Sequence, residues 1–418
     1  MTTKSPQKHR KYITLLGKIA LILLGIIFAV LLAEGVARLL GPPYAVGNEV
    51  LSLHQCDRQV GWRGVANGSS RIDWYDHDHP FVLNSRGFHD REHTLVKADD
   101  VFRILMLGDS MLAAVEVAEV ETSRHILEET LNAQAPPGLK FEVINGAVFA
   151  WGPQQELIYF RTEGQQFKPD LVLVSWFPKN DLRDVIPYHV MTMGPTGGVH
   201  CFSPYFAICN GQFDPDIWYP APGIPPQWQE CTFQRKVVTN VLNFAYHHSR
   251  LYQRLTALLL RVYEKETYAT GLYAPWLDFD HQDPVLNRSY QLTQDIYTQL
   301  AREAEAVGAK TAFFISPINE AIAVDVNPER RAAVVAGLPV LEQADPALPN
   351  QVFTELMVQQ SLPVYNLHPD FVTYIQQTGQ SLHWSDVDSH WNVAGNRLAG
   401  ERLAAWLIEK HLVPLEAE

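Results

Sequence analysis

The sequence predicts an α/β fold in which helices cover both faces of a doubly wound parallel sheet. From residue 102 onwards, short apolar segments typical of strands alternate with amphipathic segments typical of helices. Residues 170–177 (DLVLVSWF) form a nearly continuous apolar run, as expected for a strand buried on both faces. The 418 residues, 47% hydrophobic and 19% charged, suffice for one large domain with insertions or for two ordinary ones.

The predicted elements follow one another along the chain with a single interruption. Strands are predicted at 102–107, 141–144, 170–177, 310–316 and 362–367, and helices at 122–132, 154–163, 286–307 and 393–410. Thr122 and Asn392 stand where the first and last of these helices need N-cap residues. Residues 187–283, rich in Pro, Gly, Trp and Tyr, are interpreted as an insertion on the sheet's rim with a helix near 235–265. We therefore expect one α/β domain over 101–415.

The N-terminus carries a segment typical of a membrane-spanning helix. Residues 12–33 contain one charge, Lys18, and this length suits a bilayer better than a signal-peptide core of about 7–15 apolar residues. Basic residues precede the segment and only Arg38 follows it closely, which favours a cytoplasmic N-terminus and an exported remainder. We predict a cytoplasmic tail and transmembrane anchor over 1–40, with a cleavable signal ending at Gly35-Val36-Ala37 as the alternative.

The segment that follows the anchor, residues 41–100, is predicted to form a β-rich stem. It is rich in Trp, Gly, His and Asp, and Asn67-Gly68 is a turn signal. Residues 76–79 (DHDH) are of metal-ligand types, but a polar loop beside Pro80 is more often solvated. No metal site is therefore predicted in the stem.

The net charge indicates which classes of partner are not expected to bind, and the cysteine content indicates whether disulfides are expected. The net charge of −13 argues against nucleic acid as a partner, because such binding needs basic patches. Cys201, Cys209 and Cys231 lie close together in the sequence, whereas Cys56 is distant. In an exported chain an even cysteine count predicts disulfides, and we expect a pairing within the cluster, although three connectivities are open. Zinc is less favoured despite His200, because no C-x-x-C spacing is present.

Polar side chains follow the predicted strands at the edge where parallel strands end. Gly108-Asp109-Ser110 comes after the first strand, the loop 145–152 after the second, and Asn180-Asp181 after the third. Residues 386–392 (DVDSHWN) precede the last helix. Because functional groups of doubly wound sheets gather beyond the carboxyl ends of the strands, we expect these four segments to converge.

The converging side chains are suited to acyl transfer. A serine hydroxyl becomes a nucleophile once a base takes its proton, and Ser110 and His390 are predicted to fill these two roles. Asp388 is predicted to orient the imidazole and to stabilise the imidazolium, with Asp386 as the second choice.

The developing oxyanion needs hydrogen-bond donors aimed at it. The Ser110 N–H, a backbone N–H in the loop 146–152 and the side-chain amide of Asn180 are predicted to supply them.

This combination of motifs resembles the SGNH (GDSL-type) hydrolases, and the N-terminal segment suits their membrane-attached bacterial members. The motifs are LGDSM at 107–111, the block from Asn145 to Gly152, PKNDL at 178–182 and DSHWNVAGN at 388–396, with LNSRGFHDRE at 83–92 and FKPDLVLVSWF at 167–177 beside them. The resemblance implies a flavodoxin-like α/β fold. It also implies ester hydrolysis or O-acyl transfer, often of acetyl groups on polysaccharides, without metal or cofactor.

The sequence departs from the family pattern at two positions. The family usually presents a glycine as a backbone oxyanion donor, and alignment from Asn145 places Ala150 there. A positive φ costs alanine more than glycine. The family also commonly has Asp-x-x-His, but Val387 stands three residues before His390. The spacing Asp388-x-His390 resembles that of relatives similar to the alginate O-acetylation machinery, so acyl transfer stays open.

Four functions remain as hypotheses. The leading one is a membrane-anchored serine esterase acting through an acyl-enzyme on O-acyl groups, O-acetyl foremost, of an exported carbohydrate. The alternatives are an O-acyltransferase on a cell-envelope polysaccharide and a non-catalytic carbohydrate-binding or assembly module, with a lipase as a weaker reading. Four tryptophans are expected to offer flat surface for sugar rings: Trp151, Trp176, Trp218 and Trp228.

Overall fold

The structure, a computed structural model, describes most of the chain outside the insertion. The described residues are 6–39, 53–57, 59–185, 190–192, 200–209, 212–219, 249, 251, 255, 284–327, 347–385 and 388–415. The helix predicted near 235–265 lies, apart from isolated residues, outside this range.

Strands and helices alternate through the α/β part of the chain. The strands are β1 His54–Asp57, β2 Gly61–Gly64, β3 Ser69–Trp74, β4 His77–Val82, β5 Val101–Gly108, β6 Lys140–Ala147, β7 Leu171–Trp176, β8 Val190–Thr192, β9 His200–Phe202, β10 Tyr205–Cys209, β11 Gln212–Tyr219, β12 Lys310–Ile315 and β13 Val364–Asn366. The helices are α1 Pro6–Leu39, α2 Ser110–Ala113, α3 Ser123–Gln134, α4 Pro153–Thr162, α5 Asp181–Asp184, α6 Pro284–Ala306, α7 Asn319–Val326, α8 Leu348–Gln359, α9 His368–Thr378 and α10 Val393–Glu409.

The central sheet has five parallel strands in the order β6-β5-β7-β12-β13. In chain order this is 2-1-3-4-5, the arrangement of the flavodoxin-like doubly wound sheet. The predicted fold class is therefore confirmed. All five strands of the sheet lie close to their predicted positions. The clearest case is β7, because a strand buried on both faces shows as an apolar run in the sequence.

The two faces of the sheet carry separate apolar cores. Leu105 and Leu107 of β5 belong to the cluster that includes α4 and α6, whereas Ile104 and Met106 belong to the cluster that includes α3 and α10. This alternation follows from the two-residue period of a strand. Each buried side chain of this size contributes about 1.5–3 kcal/mol. The helices on both faces thus hold the strand ends, and the loops after them, in fixed positions.

Helix α1 is the one helix in the described residues that is long and apolar enough to cross a membrane. Its segment Gly17–Leu39 has 23 residues with a mean hydropathy of 2.7, and its most apolar stretch of 18 residues is not buried. A signal sequence near the N-terminus has the same properties, so anchoring and topology stay predictions.

Two antiparallel hairpins, β1–β2 and β3–β4, occur where the β-rich stem is predicted, and the first packs on the α/β core. Trp62 of β2 is fully buried, and its Nε1 donates a hydrogen bond to the carbonyl of Phe149 at 2.8 Å. In return, Trp151 Nε1 donates to the carbonyl of Trp62 at 2.8 Å. These bonds join the hairpin to the loop after β6. The division of the chain into domains remains a prediction.

The expectation that Trp151 and Trp176 offer surface for sugar rings is wrong. Both side chains are fully buried, and Trp176 stacks on Phe353 with ring centroids 4.1 Å apart. Their apolar area is used by the core, as is usual for aromatic residues next to buried strands. The side chains of Trp218 and Trp228 lie outside the described part of the structure.

Cys56 of β1 forms a disulfide with Cys201 of β9 across a sequence separation of 145 residues. Cys201 therefore does not pair within its own sequence cluster. The one pairing left there, Cys209 with Cys231, involves side chains outside the described residues.

Candidate active site

Ser110 lies at the carboxyl end of β5, as the first residue of the short helix α2. The Asp109 side chain caps α2 by accepting a hydrogen bond from the backbone N–H of Met111 at 2.9 Å. Gly108 is needed for close packing, because a Cβ there would lie 2.9 Å from the Ser175 Cβ on β7. The Gly-Asp-Ser sequence thus forms a tight strand-to-helix turn that places Ser110 at the sheet edge.

His390 and Asp388 meet Ser110 across a sequence separation of 280 residues. His390 Nε2 is 2.9 Å from Ser110 Oγ, and His390 Nδ1 is 2.8 Å from Asp388 Oδ1. These are the distances and order of a nucleophile, a base and an orienting acid. The structure therefore brings together the three predicted catalytic residues, whereas Asp386 lies outside the described residues.

Both carboxylate oxygens of Asp388 have donors. Oδ1 accepts from the backbone N–H of His390 at 3.0 Å, and Oδ2 accepts from the indole N–H of Trp74 at 3.0 Å. Burial alone would raise the pKa of Asp388, but the hydrogen bonds from His390, the imidazolium charge and the Trp74 bond together lower it. Asp388 is thus held ionised and fixed in orientation.

The imidazole of His390 lies among carboxylates. Burial alone would lower its pKa, but the charges of Glu116, Asp388 and Asp109 and the hydrogen bond to Asp388 raise it to about 9. Neutral imidazole is the form that accepts the serine proton. The capacity of His390 to act as a base is therefore expected to increase as the pH rises towards 9.

The loop after β6, which contains the predicted oxyanion donor Ala150, lies beside the end of β5. Val148 N donates to the carbonyl of Gly108 at 3.3 Å, which ties this loop to the end of β5. Ala150 has φ 57°, the left-handed conformation that favours glycine. Within the described residues, the N–H groups of Ser110 and Ala150 donate no hydrogen bond, so both are available to an oxyanion.

The side-chain amide of Asn180 is engaged by carboxylates. Its Nδ2 donates to Asp184 Oδ2 at 2.9 Å, and the amide also lies close enough to Asp109 to lower that carboxyl's pKa. Burial outweighs this effect and raises the pKa of Asp109 to about 6. An oxyanion would have to compete with these carboxyl groups for the amide hydrogens. The role of Asn180 as an oxyanion donor remains a prediction.

Asn145, the first residue of the predicted second block, joins two segments that lie next to Ser110. Its side-chain amide donates to the carbonyls of His89 at 3.2 Å and Leu112 at 3.1 Å, and its backbone N–H donates to Asp90. The segment 83–92 is thereby joined to the end of α2. These contacts help to fix the helix that begins with Ser110.

Two residues of the site were not predicted from the sequence, Glu116 and Trp74. Glu116 Oε1 lies 3.3 Å from His390 Nδ1, and Glu116 is only 2% exposed. The sequence does carry a signal for it, since it is a lone carboxylate in the apolar run 111–117. No local signal marks Trp74, because its contact with Asp388 spans 314 residues.

The DHDH segment on the β3–β4 hairpin has partners within the protein. His77 Nε2 pairs with Glu121 at 2.8 Å, His79 Nε2 bonds the Val115 carbonyl at 3.0 Å, and Asp78 pairs with an arginine of β3. Over the described ranges no three His, Cys, Asp or Glu side chains are grouped as metal ligands would be.

Comparisons with known proteins give likenesses to esterase structures at low identity. No protein-family model and no curated protein matches the chain. The acetyl xylan esterase AlAXEase has a TM-score of 0.36 and 12% identity, covering 73% of this chain and 100% of that one. The lipase/acylhydrolase from Enterococcus faecalis has a TM-score of 0.35 and 12% identity, and the match covers 76% of this chain and 100% of that one. A catalytic mutant of Axe2, an acetylxylan esterase from Geobacillus stearothermophilus, has a TM-score of 0.36 and 10% identity, covering 77% and 98%. The activity of this chain is therefore inferred from its own site.

Proposed function

We propose that the chain is a serine esterase of the SGNH type, with Ser110 as nucleophile, His390 as general base and Asp388 as orienting acid. The observation that carries this proposal is the continuous relay from Ser110 Oγ to His390 Nε2 at 2.9 Å and from His390 Nδ1 to Asp388 Oδ1 at 2.8 Å. Ser110 is 280 residues away from His390 in the sequence, and it meets the neighbouring pair Asp388 and His390 at the edge where doubly wound sheets bind ligands.

The relay supports an acyl-enzyme mechanism. Ser110 Oγ attacks the ester carbonyl while its proton passes to His390 Nε2, and the carbonyl electrons move onto the oxyanion. When the tetrahedral intermediate collapses, His390 returns the proton to the departing alcohol and leaves an acyl-Ser110. A water molecule, deprotonated by His390, then releases the carboxylic acid and restores the enzyme.

The oxyanion is proposed to bind the backbone N–H groups of Ser110 and Ala150 together with the Asn180 amide. The first two N–H groups have no acceptor among the described residues. Losing one such donor typically costs about 2.7–4 kcal/mol of transition-state stabilisation. The proposed triad and these donors would together supply nucleophile, base and charge stabilisation without a metal or cofactor.

The proposed substrate is an O-acyl ester, O-acetyl foremost, of an exported carbohydrate. Support for a sugar comes from an aromatic surface near the acid end of the relay. The ring of Tyr75, which is 55% exposed, lies parallel to that of Trp384 with an interplanar angle of 8°, and Trp74 connects this surface to Asp388. Aromatic faces of this kind are suited to the apolar faces of sugar rings.

The proposed location is the cell membrane, with one span, a cytoplasmic N-terminus and the catalytic part outside. The support is α1, whose apolar segment follows basic residues in the first turns of the same helix, and the Cys56–Cys201 disulfide, which fits an oxidising compartment.

Two further functions keep specific support. An O-acyltransferase would use the same acyl-Ser110 with a sugar hydroxyl in place of water. A non-catalytic carbohydrate-binding module is favoured by the oxyanion side, where Ala150 adopts φ 57° and Asn180 is bonded to Asp184.

A fluorophosphonate probe separates enzyme from binding module. We expect wild-type protein to be labelled, Ser110→Ala to be unlabelled, and Ser69→Ala, which changes an exposed serine, to be labelled like wild type. Equal labelling of wild type and Ser110→Ala, or p-nitrophenyl acetate turnover that survives in His390→Ala, would contradict the proposal.

Two product measurements then separate the enzyme classes. A series of p-nitrophenyl esters should show the highest kcat/KM for acetyl, whereas a preference for long acyl chains would favour a lipase. With a sugar acceptor present, acetylated sugar in place of free acetate would favour the transferase.

A further inference from the structure

Glu116 is a buried carboxyl group that the proposed mechanism does not use. It lies between Val115 and Val117, and all three residues are at most 2% exposed. Its Oε1 is 3.3 Å from His390 Nδ1 and has no hydrogen-bond partner within the described residues. A carboxylate placed in this way needs a physical explanation.

An ionised carboxylate is costly to bury unless it is paired. In the described residues, the ion-pair partner of Glu116 is His390, and no arginine or lysine takes that place. The charge on Glu116 is therefore compensated when His390 is protonated, which is the state that His390 reaches after taking the proton of Ser110.

We propose that Glu116 is a positioning residue that acts through His390, as a second carboxylate that stabilises the imidazolium beside Asp388. This inference rests on the proposed function for its role in turnover, but the contact itself can be tested without turnover. The two carboxylates divide the work. Asp388 Oδ1, at 2.8 Å, accepts the single Nδ1–H of the ring, whereas Glu116, at 3.3 Å, supplies charge.

The protonation of Glu116 and that of His390 are linked. Burial raises the pKa of Glu116 to about 7, while the imidazolium charge opposes this rise. The other charged or titratable groups around the ring are Asp388, Asp109 and His383, and Lys179 bonds the neighbouring Ser389 Oγ at 2.7 Å. Since the charge of Glu116 raises the pKa of His390, removing that charge must lower the pH at which the imidazole becomes neutral.

The direct test is a titration of His390 by NMR on the full-length chain, labelled with ¹⁵N-histidine, in detergent. The His390→Asn variant identifies the resonance. We expect Glu116→Gln to lower the His390 midpoint by about one pH unit or more, and Glu129→Gln, a matched change at an exposed position, to leave it in place. An unchanged midpoint in Glu116→Gln would overturn the proposal whether or not the protein is an esterase.

A second variant, Glu116→Met, covers the case in which Glu116→Gln does not fold. Methionine is neutral and has no amide that would need hydrogen-bond partners in the apolar surroundings. It should therefore lower the His390 midpoint as Glu116→Gln does. If ester turnover is found, the rise of kcat/KM with pH should move to lower pH in both variants. The plateau should fall about tenfold, because one pKa unit of imidazolium stabilisation is lost. A fall in activity with no shift of the profile would assign Glu116 a packing role only.

Discussion

On the side of Ser110 proposed to move the proton (the base side), each ring nitrogen of His390 and each carboxylate oxygen of Asp388 has a partner. On the side proposed to bind the oxyanion (the oxyanion side), one backbone donor is strained and the side-chain donor is engaged. The base side uses hydrogen bonds of 2.8–3.0 Å that involve Ser110, Trp74 and both the ring and the backbone of His390. On the oxyanion side, Ala150 has φ 57° and the amide of Asn180 donates to Asp184.

The difference indicates where the two sides obtain their stability. The hydrogen bonds that join Ser110, His390, Asp388 and Trp74 are all made without a substrate. The oxyanion side leaves two backbone N–H groups without an acceptor in the described structure, and it holds an alanine in a conformation that costs about 1–2 kcal/mol. Substitutions on the base side are therefore expected to lower activity, whereas a substitution on the oxyanion side can raise it.

The largest effect is expected from Asp388→Asn on the base side. The amide preserves the shape of the side chain but favours the wrong tautomer of His390, so kcat should fall by about 10⁴-fold. Steady-state kinetics with p-nitrophenyl acetate would measure the fall. A loss of less than tenfold would mean that Asp386 or Glu116 replaces Asp388.

On the oxyanion side, Asn180→Ala should lower kcat by about 10²–10³-fold with little change in KM, as expected for a donor that acts in the transition state. A much smaller fall in kcat would mean that the amide of Asn180 stays bonded to Asp184 during the reaction. The backbone N–H groups would then bind the oxyanion alone.

An intermediate effect is expected from Trp74→Phe, which keeps the ring and removes the indole N–H from Asp388 Oδ2. Hydrogen bonds to charged groups contribute about 1.5–3 kcal/mol, so kcat/KM should fall by at least about tenfold. Tyr75→Phe is the matched control, since it removes the 3.2 Å bond between the Tyr75 hydroxyl and Ser385 but leaves the bond from Trp74 to Asp388 in place. Equal losses in both variants would indicate a general disturbance of the hairpin.

The smallest effect, and the one of opposite sign, is expected from Ala150→Gly. Relief of the left-handed conformation should exceed the added chain entropy of glycine, so the free energy of unfolding should rise by up to about 1 kcal/mol. Thermal unfolding would measure this gain, and kcat should rise if the N–H of residue 150 binds the oxyanion. Ala114→Gly, at φ 45°, tests whether relief of strain elsewhere gives the same rise in kcat.

Much of the fold follows from local patterns in the sequence. The central strand β7 is buried at every position and was visible as an apolar run. Thr122 and Asn392 cap α3 and α10 as predicted, because a cap is a contact between residues only three apart. Local chemistry of this kind can be recognised without knowledge of the tertiary structure.

The sequence predicted those site residues whose side chains are of a reactive type and lie in a recognisable motif. Ser110, His390 and Asp388 are reactive types in recognisable motifs, so their convergence could be expected from the sheet topology. Trp74 lies 314 residues from Asp388, and an indole donor has no sequence signature. Trp151 was misassigned because an aromatic residue in a loop is equally suited to a core or to a ligand.

The link between β2 and the loop after β6 also limits where the proposed enzyme can act. If α1 is anchored as proposed, fifteen chain steps from Leu39 to His54 join the membrane to the first hairpin. At full extension they span about 50 Å. The hairpin is fastened by Trp62 to the carbonyl of Phe149, beside Ala150. The length of this segment would then limit how far Ser110 can lie from the membrane. The proposed enzyme would reach acylated chains close to the membrane surface but not distant polymer.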